Sequence, residues 1–452
     1  MRFHIVVPVW GEVYIDRWMR HVLPAHFGAG NLPAFAAHGH EAVLHIHTLS
    51  GDVERFGAYS ALEAARDLLP VAIHGHELRV DDLPQFYLLT ELYNRAITGA
   101  GEENAAMIMW QPDCVLSGGA MERIIELREG GCRAVMVPGL LVETEAFIRL
   151  LPALGQPLPR GRAFTELALG CLHDPEIEEH MWSDARLSEA PSFLYWRDAP
   201  GGALLVRAFH PHPIMIDPVD RDCRCHWTPD AEYVRRACPD FRDIYCVSDS
   251  DELVVTSFSP ANATRFQRSA PVSSSIDGVA RWIHIGADAY HRRFFANRYW
   301  VHDRPLDGAC KALQAQSDRV VESVLRRADE LESLVATLIS GARGREIAIF
   351  GAGALGQLLA RALVLNDCPP VIFLDNDPTK WGRIFGLVPI AKPEVERLAG
   401  RFVVVASLWS DEICESLDAL GLRELEDYRK VAPDAVWHGL DESREKCEAD
   451  GR

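Results

Sequence analysis

A glycine-rich segment in the last quarter of the chain, residues 345–382, constrains the fold more than any other stretch. An apolar β-branched run at residues 347–350 leads into a turn with three glycines, a helix-forming run follows, and a second buried-strand pattern stops at Asp375. The glycines are Gly351, Gly353 and Gly356. Strand, glycine-rich turn, helix, strand and acidic residue follow one another in the order that a dinucleotide-binding βαβ unit requires.

The three glycines have different tasks in such a unit: a tight turn, close backbone approach to a phosphate, and close packing of helix on strand. The helix N-terminus then offers free N–H groups to an anion. We therefore predict a nucleotide or nucleotide-sugar site at Gly351, Gly353 and Gly356, with Asp375, 19 residues past Gly356, as its acidic member. The alternative is a Rossmann-like fold without a dinucleotide, in which Asp375 caps a loop, because the region is too small for both halves of a dinucleotide site.

Length, charge and cysteine spacing exclude several classes of protein. A chain of 452 residues and 50.4 kDa allows two to three domains. Its net charge of −19 argues against a nucleic-acid partner. No apolar run approaches the ~18 residues of a membrane-spanning helix, and the first residues lack the pattern of a signal peptide. Eleven cysteines without regular spacing fit reduced thiols, so we expect a cytoplasmic protein.

Histidine use changes abruptly in the middle of the chain. Seventeen of the 18 histidines fall at or before His302, and the segment DRPLDG follows at residues 303–308. This shift marks a domain boundary. The predicted organisation is an N-terminal domain at residues 1–304, a helical linker at 305–342, a Rossmann-like nucleotide-binding domain at 343–440 and a disordered tail at 441–452.

Apolar residues recur at steps of three and four across residues 313–339, with charged residues on the other faces. They are Val321, Val324, Ala328, Leu331, Val335 and Leu338. This period predicts an amphipathic helix. Its apolar stripe has two interpretations: a short coiled coil that joins two copies of the chain as a homodimer, or a face packed on its own domain.

Strand and helix patterns also alternate, with short connections, through the first 140 residues. The predicted strands are residues 3–9, 41–49, 71–74, 105–110 and 134–138, and the predicted helices are 61–69, 85–98 and 119–128. The pattern indicates a second α/β layer structure, with ligands at the C-terminal ends of its strands. Residues 151–300 are predicted to be α+β with long loops, and a strand at 402–408 and a helix at 412–420 extend the C-terminal region into a small, doubly wound domain.

Two N-terminal segments resemble glycosyltransferases of the family-2 type with the GT-A fold. In FHIVVPVWGE an apolar strand ends in proline and an aromatic residue, and in the stretch from residue 105 to 140 a strand ends in a polar loop that carries Asp113. The resemblance covers residues 1–140 well and 200–260 loosely. It implies that Asp113 holds a divalent metal, Mn²⁺ or Mg²⁺, against the donor diphosphate, because a hard cation with oxygen ligands neutralises that leaving group.

The chain departs from the family pattern at three points. The acidic loop that holds the nucleobase is HTLSGD here, which leaves only Asp52, and the metal loop is QPDC, with the single acid Asp113. No obvious acidic pair is present to deprotonate the acceptor. These departures leave the metal dependence and the catalytic base open.

Four H-x-H pairs occur, a spacing that places both rings on one face of a strand and suits metal binding. They are His38/His40, His45/His47, His74/His76 and His210/His212. GT-A enzymes often take a histidine metal ligand from the second half of the fold, so the resemblance favours His210 and His212 as auxiliary ligands. For the other three pairs, a sheet face or loop without a metal is the simpler interpretation.

Three further segments each have a functional and a structural interpretation. Asp249 and Asp251 form a literal D-x-D, but a hairpin turn is the simpler explanation at this point in the chain. The CRCH segment at residues 223–226 is a zinc-site fragment with no matching second pair nearby. The arginines among the aromatics of residues 289–304 would suit a diphosphate clamp or an ordinary domain-edge helix.

The C-terminal segment GAGALGQ…FLDNDPTKWG resembles two kinds of nucleotide-sugar-binding domain. One stands at the front of bacterial sugar acetyltransferases, and the other is the C-terminal domain of sugar C-methyltransferases, whose motif Asp377, Lys380 and Gly382 would occupy. No Tyr-x-x-x-Lys of a short-chain dehydrogenase is present, so binding or positioning of a nucleotide-linked ligand is favoured over redox chemistry.

The sequence thus predicts a GT-A-like glycosyltransferase joined by a helix to a small Rossmann-like domain. It would move a sugar from a nucleotide-diphosphate donor to an envelope-polysaccharide or glycan acceptor. The alternatives are a non-catalytic nucleotide-sugar-binding or scaffold protein, and an NAD-dependent sugar oxidoreductase built on the C-terminal domain.

Overall fold

A computed structural model describes residues 1–78, 85–154, 157–174, 177, 181–182, 193–198, 202–217, 219–226, 229, 231–261, 276–331 and 333–431. The strands are β1 Arg2–Pro8, β2 Glu41–Leu49, β3 Val71–His76, β4 Ala106–Met109, β5 Cys114–Leu116, β6 Ala134–Val137, β7 Gly139–Glu143, β8 Phe193–Arg197, β9 Ala203–Ala208, β10 His212–Ile216, β11 Ile244–Cys246, β12 Val255–Ser259, β13 Tyr299–His302, β14 Ile347–Phe350, β15 Ile372–Leu374, β16 Ile384–Phe385, β17 Val388–Ala391, β18 Phe402–Val405 and β19 Tyr428–Lys430.

The α-helices are α1 Glu12–Arg17, α2 Leu23–Ala25, α3 Ala34–Ala37, α4 Ser60–Leu68, α5 Gln85–Glu102, α6 Ala120–Glu129, α7 Thr144–Leu154, α8 Gly161–Leu169, α9 Ala231–Ala237, α10 Ile276–Gly286, α11 Ala289–Ala296, α12 Gly308–Asp329, α13 Leu334–Ala342, α14 Ala354–Leu365, α15 Val395–Leu398 and α16 Ser410–Ala419. A π-helical turn at Trp18–Val22 joins α1 to α2, and 3₁₀ segments lie at Ser50–Ala58, Phe241–Asp243 and Pro378–Lys380. None of the described helices is both long and apolar enough to cross a membrane.

The N-terminal half is organised around a seven-stranded sheet in the order β11-β6-β10-β4-β1-β2-β3. All of its strands run parallel except β10, which pairs antiparallel with β4 and β6. Because β1 to β4 are parallel, their carboxyl ends meet at one edge of the sheet. The loops that follow these strands therefore lie on the same side of the sheet, and those after β1, β2 and β3 line a cleft there.

Side chains of β1 show how the sheet separates two cores. Phe3, Ile5 and Val7 enter the larger apolar cluster, whereas Val6 joins the cluster on the opposite face, on which α5 packs. The alternation follows from the two-residue period of a strand. His4 shares the face of Val6 and is nevertheless 3% exposed, so this face carries buried polar groups as well as apolar ones.

Two small sheets extend this half of the chain. One has the order β5-β12-β7 and the other the order β13-β9-β8. The second sheet packs against α10 and α12 through an apolar cluster that includes Leu205, Val279 and Val324. The expected α+β character of residues 151–300 therefore holds for the described part of that region.

The C-terminal sheet has the order β16-β17-β15-β14-β18-β19, and all of its strands are parallel except β16. Counted from β14, its parallel strands follow the order 3-2-1-4-5, as in a doubly wound nucleotide-binding half. Helix α14 covers one face and α16 the other. The predicted fold class is confirmed: the structure is mixed α/β with several parallel-rich sheets, consistent with a GT-A-like N-terminal part and a small Rossmann-like C-terminal part. The tail predicted at 441–452 lies outside the described residues.

The predicted helix at 313–339 is two helices, α12 and α13, and this part of the prediction was wrong. Ser333 begins α13, and its hydroxyl accepts a hydrogen bond from Ala336 N at 3.1 Å, so a new helix starts there. Val321, Val324 and Ala328 pack against α10 within the same chain, whereas Leu338 packs on the C-terminal sheet. The chain itself therefore covers this apolar stripe, as the second interpretation expects, and the homodimer stays a prediction.

A buried arginine holds α12 against the strand β9. The Arg207 side chain is 1% exposed; its guanidinium donates to Ser317 Oγ at 2.8 Å and to Ala296 O at 2.6 Å, and it forms an ion pair with Asp318. Burial lowers the pKa of Arg207 against the opposing effect of Asp318. Without these partners the buried cation would be costly, so the position of α12 depends on them.

We expect Arg207→Ala to destabilise the protein by about 3–5 kcal/mol, because it breaks a buried ion pair and leaves polar groups unpaired. Denaturant-induced unfolding of the full chain measures the effect. The matched control is Arg242→Ala, whose side chain is 89% exposed in its ion pair with Asp240 and which should change stability by less than about 0.5 kcal/mol. Equal effects of the two substitutions would contradict the role given to Arg207.

Candidate functional site

The loops that follow β1, β2 and β3 form a cleft of about 830 Å³ at the carboxyl edge of the large sheet. Its described lining comes from residues 10–14, 49–52 and 76–78. Tyr14 and Val13 of this lining are exposed, at 38% and 65%. A cleft of this size at this edge is where open α/β sheets bind ligands.

Asp52 holds two of these loops together. Its Oδ2 accepts a hydrogen bond from Gly11 N at 2.8 Å, and its Oδ1 pairs with Arg55 Nε at 2.8 Å. The side chain is only 13% exposed. The acid that remains from the expected nucleobase loop therefore shapes the wall of the cleft, with one oxygen on the backbone and one on a guanidinium.

Asp113 follows β4 in a turn that the surrounding backbone fixes. Cys114 N donates to Gln111 O at 3.1 Å, and Phe258 N donates to Asp113 O at 2.9 Å. The Asp113 side chain is half-buried, and its Oδ1 lies 3.8 Å from Cys114 Sγ. Asp113 is not part of the described lining of the strand-end cleft, and its metal-binding role stays a prediction.

The two histidines predicted as auxiliary ligands lie in different surroundings. His212 donates its ring N–H (Nε2) to Met109 O at 2.6 Å, and burial lowers its pKa to about 4. His210 packs against His291, with ring centroids 4.6 Å apart. Two groups of potential metal ligands occur among the described residues with their ligand atoms within 4.8 Å of one another, and neither contains Asp113, His210 or His212. Metal binding by these three residues stays a prediction.

The two groups of potential metal ligands are His45, His47 and His74, and Asp249, Asp251 and His302. The D-x-D segment of the second group is a turn between strands of two different sheets rather than a hairpin. Asp249 accepts from Asp251 N at 2.8 Å and pairs with His302 Nε2 at 2.9 Å, while Arg162 holds Asp251 through both of its carboxylate oxygens. Its carboxylates are thus engaged in local structure.

The histidine group belongs to a larger set on one face of the sheet, next to a cavity of about 700 Å³ between the sheet, α5 and residues 221–224. Burial and the neighbouring imidazoles lower the pKa of His45 to about 4 and that of His47 to about 2, so both rings are neutral at pH 7. The same-face prediction is confirmed for the two H-x-H pairs that lie on strands, those of β2 and β3. It missed that the two strands are adjacent, which only the β2–β3 pairing establishes.

In the C-terminal part, steric constraints explain two of the predicted glycines. A Cβ on Gly351, at φ +112°, would lie 2.3 Å from Ala406 O, and one on Gly356 would lie 1.9 Å from Gly351 O. Gly353, by contrast, has open space around it and stands exposed at the start of α14, with no side chain capping the helix. A helix N-terminus without a side-chain cap is a common feature of anion sites, because the N–H groups of its first turn have no partner within the helix.

Asp375 lies inside the glycine turn rather than at its mouth. It is 8% exposed; Oδ2 accepts from Ala352 N at 2.8 Å and from Lys380 Nζ at 2.9 Å, and Oδ1 accepts from Asp377 N at 2.9 Å. These contacts are those expected of an acid that caps a loop. A direct ligand contact of Asp375 stays a prediction, and Lys380 brings a cation to the same turn.

Comparisons with known proteins give only distant likenesses. No protein-family model matches the chain, and a search of curated protein sequences finds no significant match. Among solved structures, a mannosyltransferase from Pyrobaculum calidifontis in complex with GDP-Man and Mn²⁺ is 11% identical, with 75% of this chain and 79% of that chain covered and a TM-score of 0.28.

Two other solved structures are similarly distant. Mouse xyloside xylosyltransferase 1 is 13% identical over 31% of this chain and 53% of its own, with a TM-score of 0.21. UDP-D-quinovosamine 4-dehydrogenase from Vibrio fischeri is 22% identical over 23% of this chain and 85% of its own, with a TM-score of 0.17. The structural similarity to these proteins, which include glycosyltransferases, is therefore low. Similarity at this level supports no assignment of substrate or activity.

We expect Gly356→Ala to destabilise the C-terminal part by about 1–3 kcal/mol or more, because the added methyl group meets backbone that cannot move aside. Gly353→Ala is the matched control: φ is −83° and nothing lies within 4 Å of the new Cβ, so the substitution adds no clash and should cost at most about 0.5 kcal/mol, the disadvantage of alanine at an N-cap. Thermal unfolding of both variants measures the difference. Equal melting temperatures would show that the helix does not pack this closely on the strand.

The His302–Asp249 pair should make stability depend on pH. The hydrogen bond to Asp249 raises the pKa of His302 above 6.5, so the stabilisation from its charged form is complete below pH 6.5 and is lost as the pH rises through the raised value. For Asp249, burial is outweighed by the hydrogen bonds it accepts, so its pKa falls below 3.8 and its contribution is lost only in acid.

We therefore expect the melting-temperature difference between wild type and His302→Gln to be largest near pH 5.5 and to shrink by pH 8.5. Asp249→Asn should flatten this dependence, because the partner charge is gone. If the difference were constant across this range, or unaffected by Asp249→Asn, the pair would not be the cause.

Proposed function

We propose that this chain is a glycosyltransferase that moves a sugar from a nucleotide-diphosphate donor to a polysaccharide or glycan acceptor. The observation that carries the proposal is the cleft of about 830 Å³ that the loops after β1, β2 and β3 form. In open α/β sheets, ligands bind outside the carboxyl ends of the strands. This cleft has the size of a small-molecule site and an aromatic side chain, Tyr14, exposed at its edge.

In the proposed complex the nucleoside occupies this cleft, against Tyr14 and Trp10, and Asp52 keeps the cleft wall in place through Gly11 and Arg55. Asp113 acts at the metal or donor phosphate, with His210 or His212 as an auxiliary ligand. A bound Mn²⁺ or Mg²⁺ supplies positive charge to the departing diphosphate. The half-buried position of Asp113 supports this role, because a carboxylate shielded from bulk water interacts more strongly with a cation.

The Rossmann-like part is proposed to bind a second nucleotide or nucleotide-sugar at Gly351, Gly353 and Gly356. The open space at Gly353 and the uncapped start of α14 support a phosphate there, and Lys380 adds a positive charge to the same turn. In the proposed organisation residues 1–304 form the transferase, 305–342 the helical connection, 343–440 the nucleotide-binding domain and 441–452 a tail.

One observation favours a second candidate, a non-catalytic nucleotide-sugar-binding protein. The described lining of the cleft does not include Asp113, and both oxygens of Asp52 are engaged within the protein. A cleft with these features would bind a nucleotide-sugar without activating its diphosphate. The two candidates differ in donor hydrolysis, which only the transferase catalyses.

Two measurements on the full-length protein test the proposal: thermal stabilisation by UDP-, GDP- and dTDP-sugars with and without Mn²⁺, and slow hydrolysis of the stabilising donor. A donor at 100 times its Kd should stabilise the fold by about 2.7 kcal/mol. Tyr14→Ala should weaken donor binding about tenfold if the base stacks on the ring. Asp113→Ala should lower donor hydrolysis about 100-fold or more.

The control is Asp67→Ala, an exposed acid on α4, which should change neither binding nor hydrolysis. Hydrolysis unaffected by Asp113→Ala would refute the role of that residue. Binding without any hydrolysis would favour the non-catalytic candidate, and stabilisation by NAD(P) alone would favour an oxidoreductase built on the C-terminal part.

A further inference from the structure

Five histidines from three neighbouring strands share one face of the large sheet. They are His4 on β1, His45 and His47 on β2, and His74 and His76 on β3. The two-residue period of each strand directs them away from the larger apolar cluster, which takes Leu44, Ile46 and Ile73 on the opposite face. The parallel pairing of β2 with β3 aligns His47 with His74. The face is therefore an imidazole surface built by strand register.

The rings are in direct contact with one another. His45 Nδ1 lies 2.9 Å from His74 Nε2, and His47 Nδ1 lies 3.0 Å from His76 Nε2. One ligand nitrogen from each of His45, His47 and His74 falls within 4.8 Å of the others. Nitrogens bound at 2.0–2.1 Å to one tetrahedral zinc ion are about 3.4 Å apart. Side-chain rotations that shorten these separations to about 3.4 Å would give a three-histidine ligand set.

One nitrogen in the group has an unsatisfied hydrogen-bonding capacity. His45 Nε2 is buried and has no hydrogen-bond partner within the described part of the chain. Leaving a buried polar atom unpaired costs free energy, so such an atom needs an explanation, and an absent ion is one of the recognised explanations. The His45 ring contacts that of His4, tilted by 35° with centroids 4.1 Å apart, and stacks on that of His74.

The charges around the histidines do not exclude a cation. The cavity beside them is lined by Glu91, Glu103 and Asp222 and by three arginines, Arg95, Arg221 and Arg224. Glu91 pairs with Arg95 and with Arg224, and Glu103 pairs with Arg2 and contacts His4 at 3.3 Å. The acids and arginines of the lining balance in number, and Glu103 contacts His4, whose ring packs on that of His45.

We propose that His45, His47 and His74 bind a divalent transition-metal ion of the zinc type, with an open coordination position toward the cavity of about 700 Å³. Imidazole nitrogens select Zn²⁺, Ni²⁺ or Cu²⁺ over Mg²⁺, Ca²⁺ or Mn²⁺, which prefer oxygen ligands. Three protein ligands with a free position are typical of zinc sites that bind water or a substrate group. This site is separate from the Mn²⁺ or Mg²⁺ proposed at Asp113, and it does not depend on sugar transfer.

The experiment uses the full-length chain, without an affinity tag and stripped of metal, titrated with Zn²⁺ by calorimetry and with Co²⁺ by absorption spectroscopy. We expect one ion per chain and a Co²⁺ spectrum of tetrahedral nitrogen and oxygen ligands. His47→Gln and His74→Gln should each weaken Zn²⁺ binding at least 100-fold. His76→Gln, which removes a neighbour of His47, should weaken it about tenfold.

The matched control is the double variant His38→Gln/His40→Gln, an H-x-H pair of the same spacing that contacts Glu129 outside the cluster and should leave binding unchanged. Circular dichroism and the melting temperature of each variant show whether it is folded. No stoichiometric binding by folded wild type, equal binding by folded His74→Gln, or a thiolate-to-cobalt charge-transfer band from the cysteines would each overturn the proposal.

Discussion

The parallel alignment of β1 with β2 and β4 is the constraint on which the rest of the N-terminal half depends. Each of these pairings is in register along the strands, and β1 is buried from Phe3 to Pro8. A shift of one residue would exchange the faces, and would place His45 and His47 in the larger apolar core. The same parallel alignment places the carboxyl ends of β1 to β4 at one edge of the sheet. Register therefore decides both where the cleft opens and which face carries the histidines.

Much of this fold could be predicted from local patterns. The strand at residues 3–9 and the unit around Gly351 have strong periodicity and turn signals, and both were predicted to within a few residues. The break between α12 and α13 was missed, because apolar steps of three and four continue across it. The first helix ends at Asp329, and a new helix begins at Ser333, whose side chain caps it. A weak local signal of this kind is masked by a continuous hydrophobic period.

The candidate sites were harder to predict, because they depend on which strands are neighbours. Four H-x-H pairs look alike in the sequence, yet only those on β2 and β3 meet, and His4 joins them from β1. Asp375 shows the converse problem. Its position after a strand fits a ligand contact, whereas its oxygens bind Ala352 N and Lys380 within the turn. A motif predicts the residue types of a site but not the hydrogen-bond partners of those residues in the fold.

The two N-terminal cavities share one lining side chain. His76, at the end of β3, lines both the strand-end cleft and the histidine cavity, and its ring contacts His47 at 3.0 Å. A metal bound at His45, His47 and His74 would draw His47 toward it and so change what His76 contacts. A metal in the histidine cavity would then change the lining of the cleft and so the affinity of the cleft for its ligand. The size of that change is the coupling free energy between the two sites. By reciprocity, a ligand in the cleft that holds His76 would change the metal affinity by the same factor.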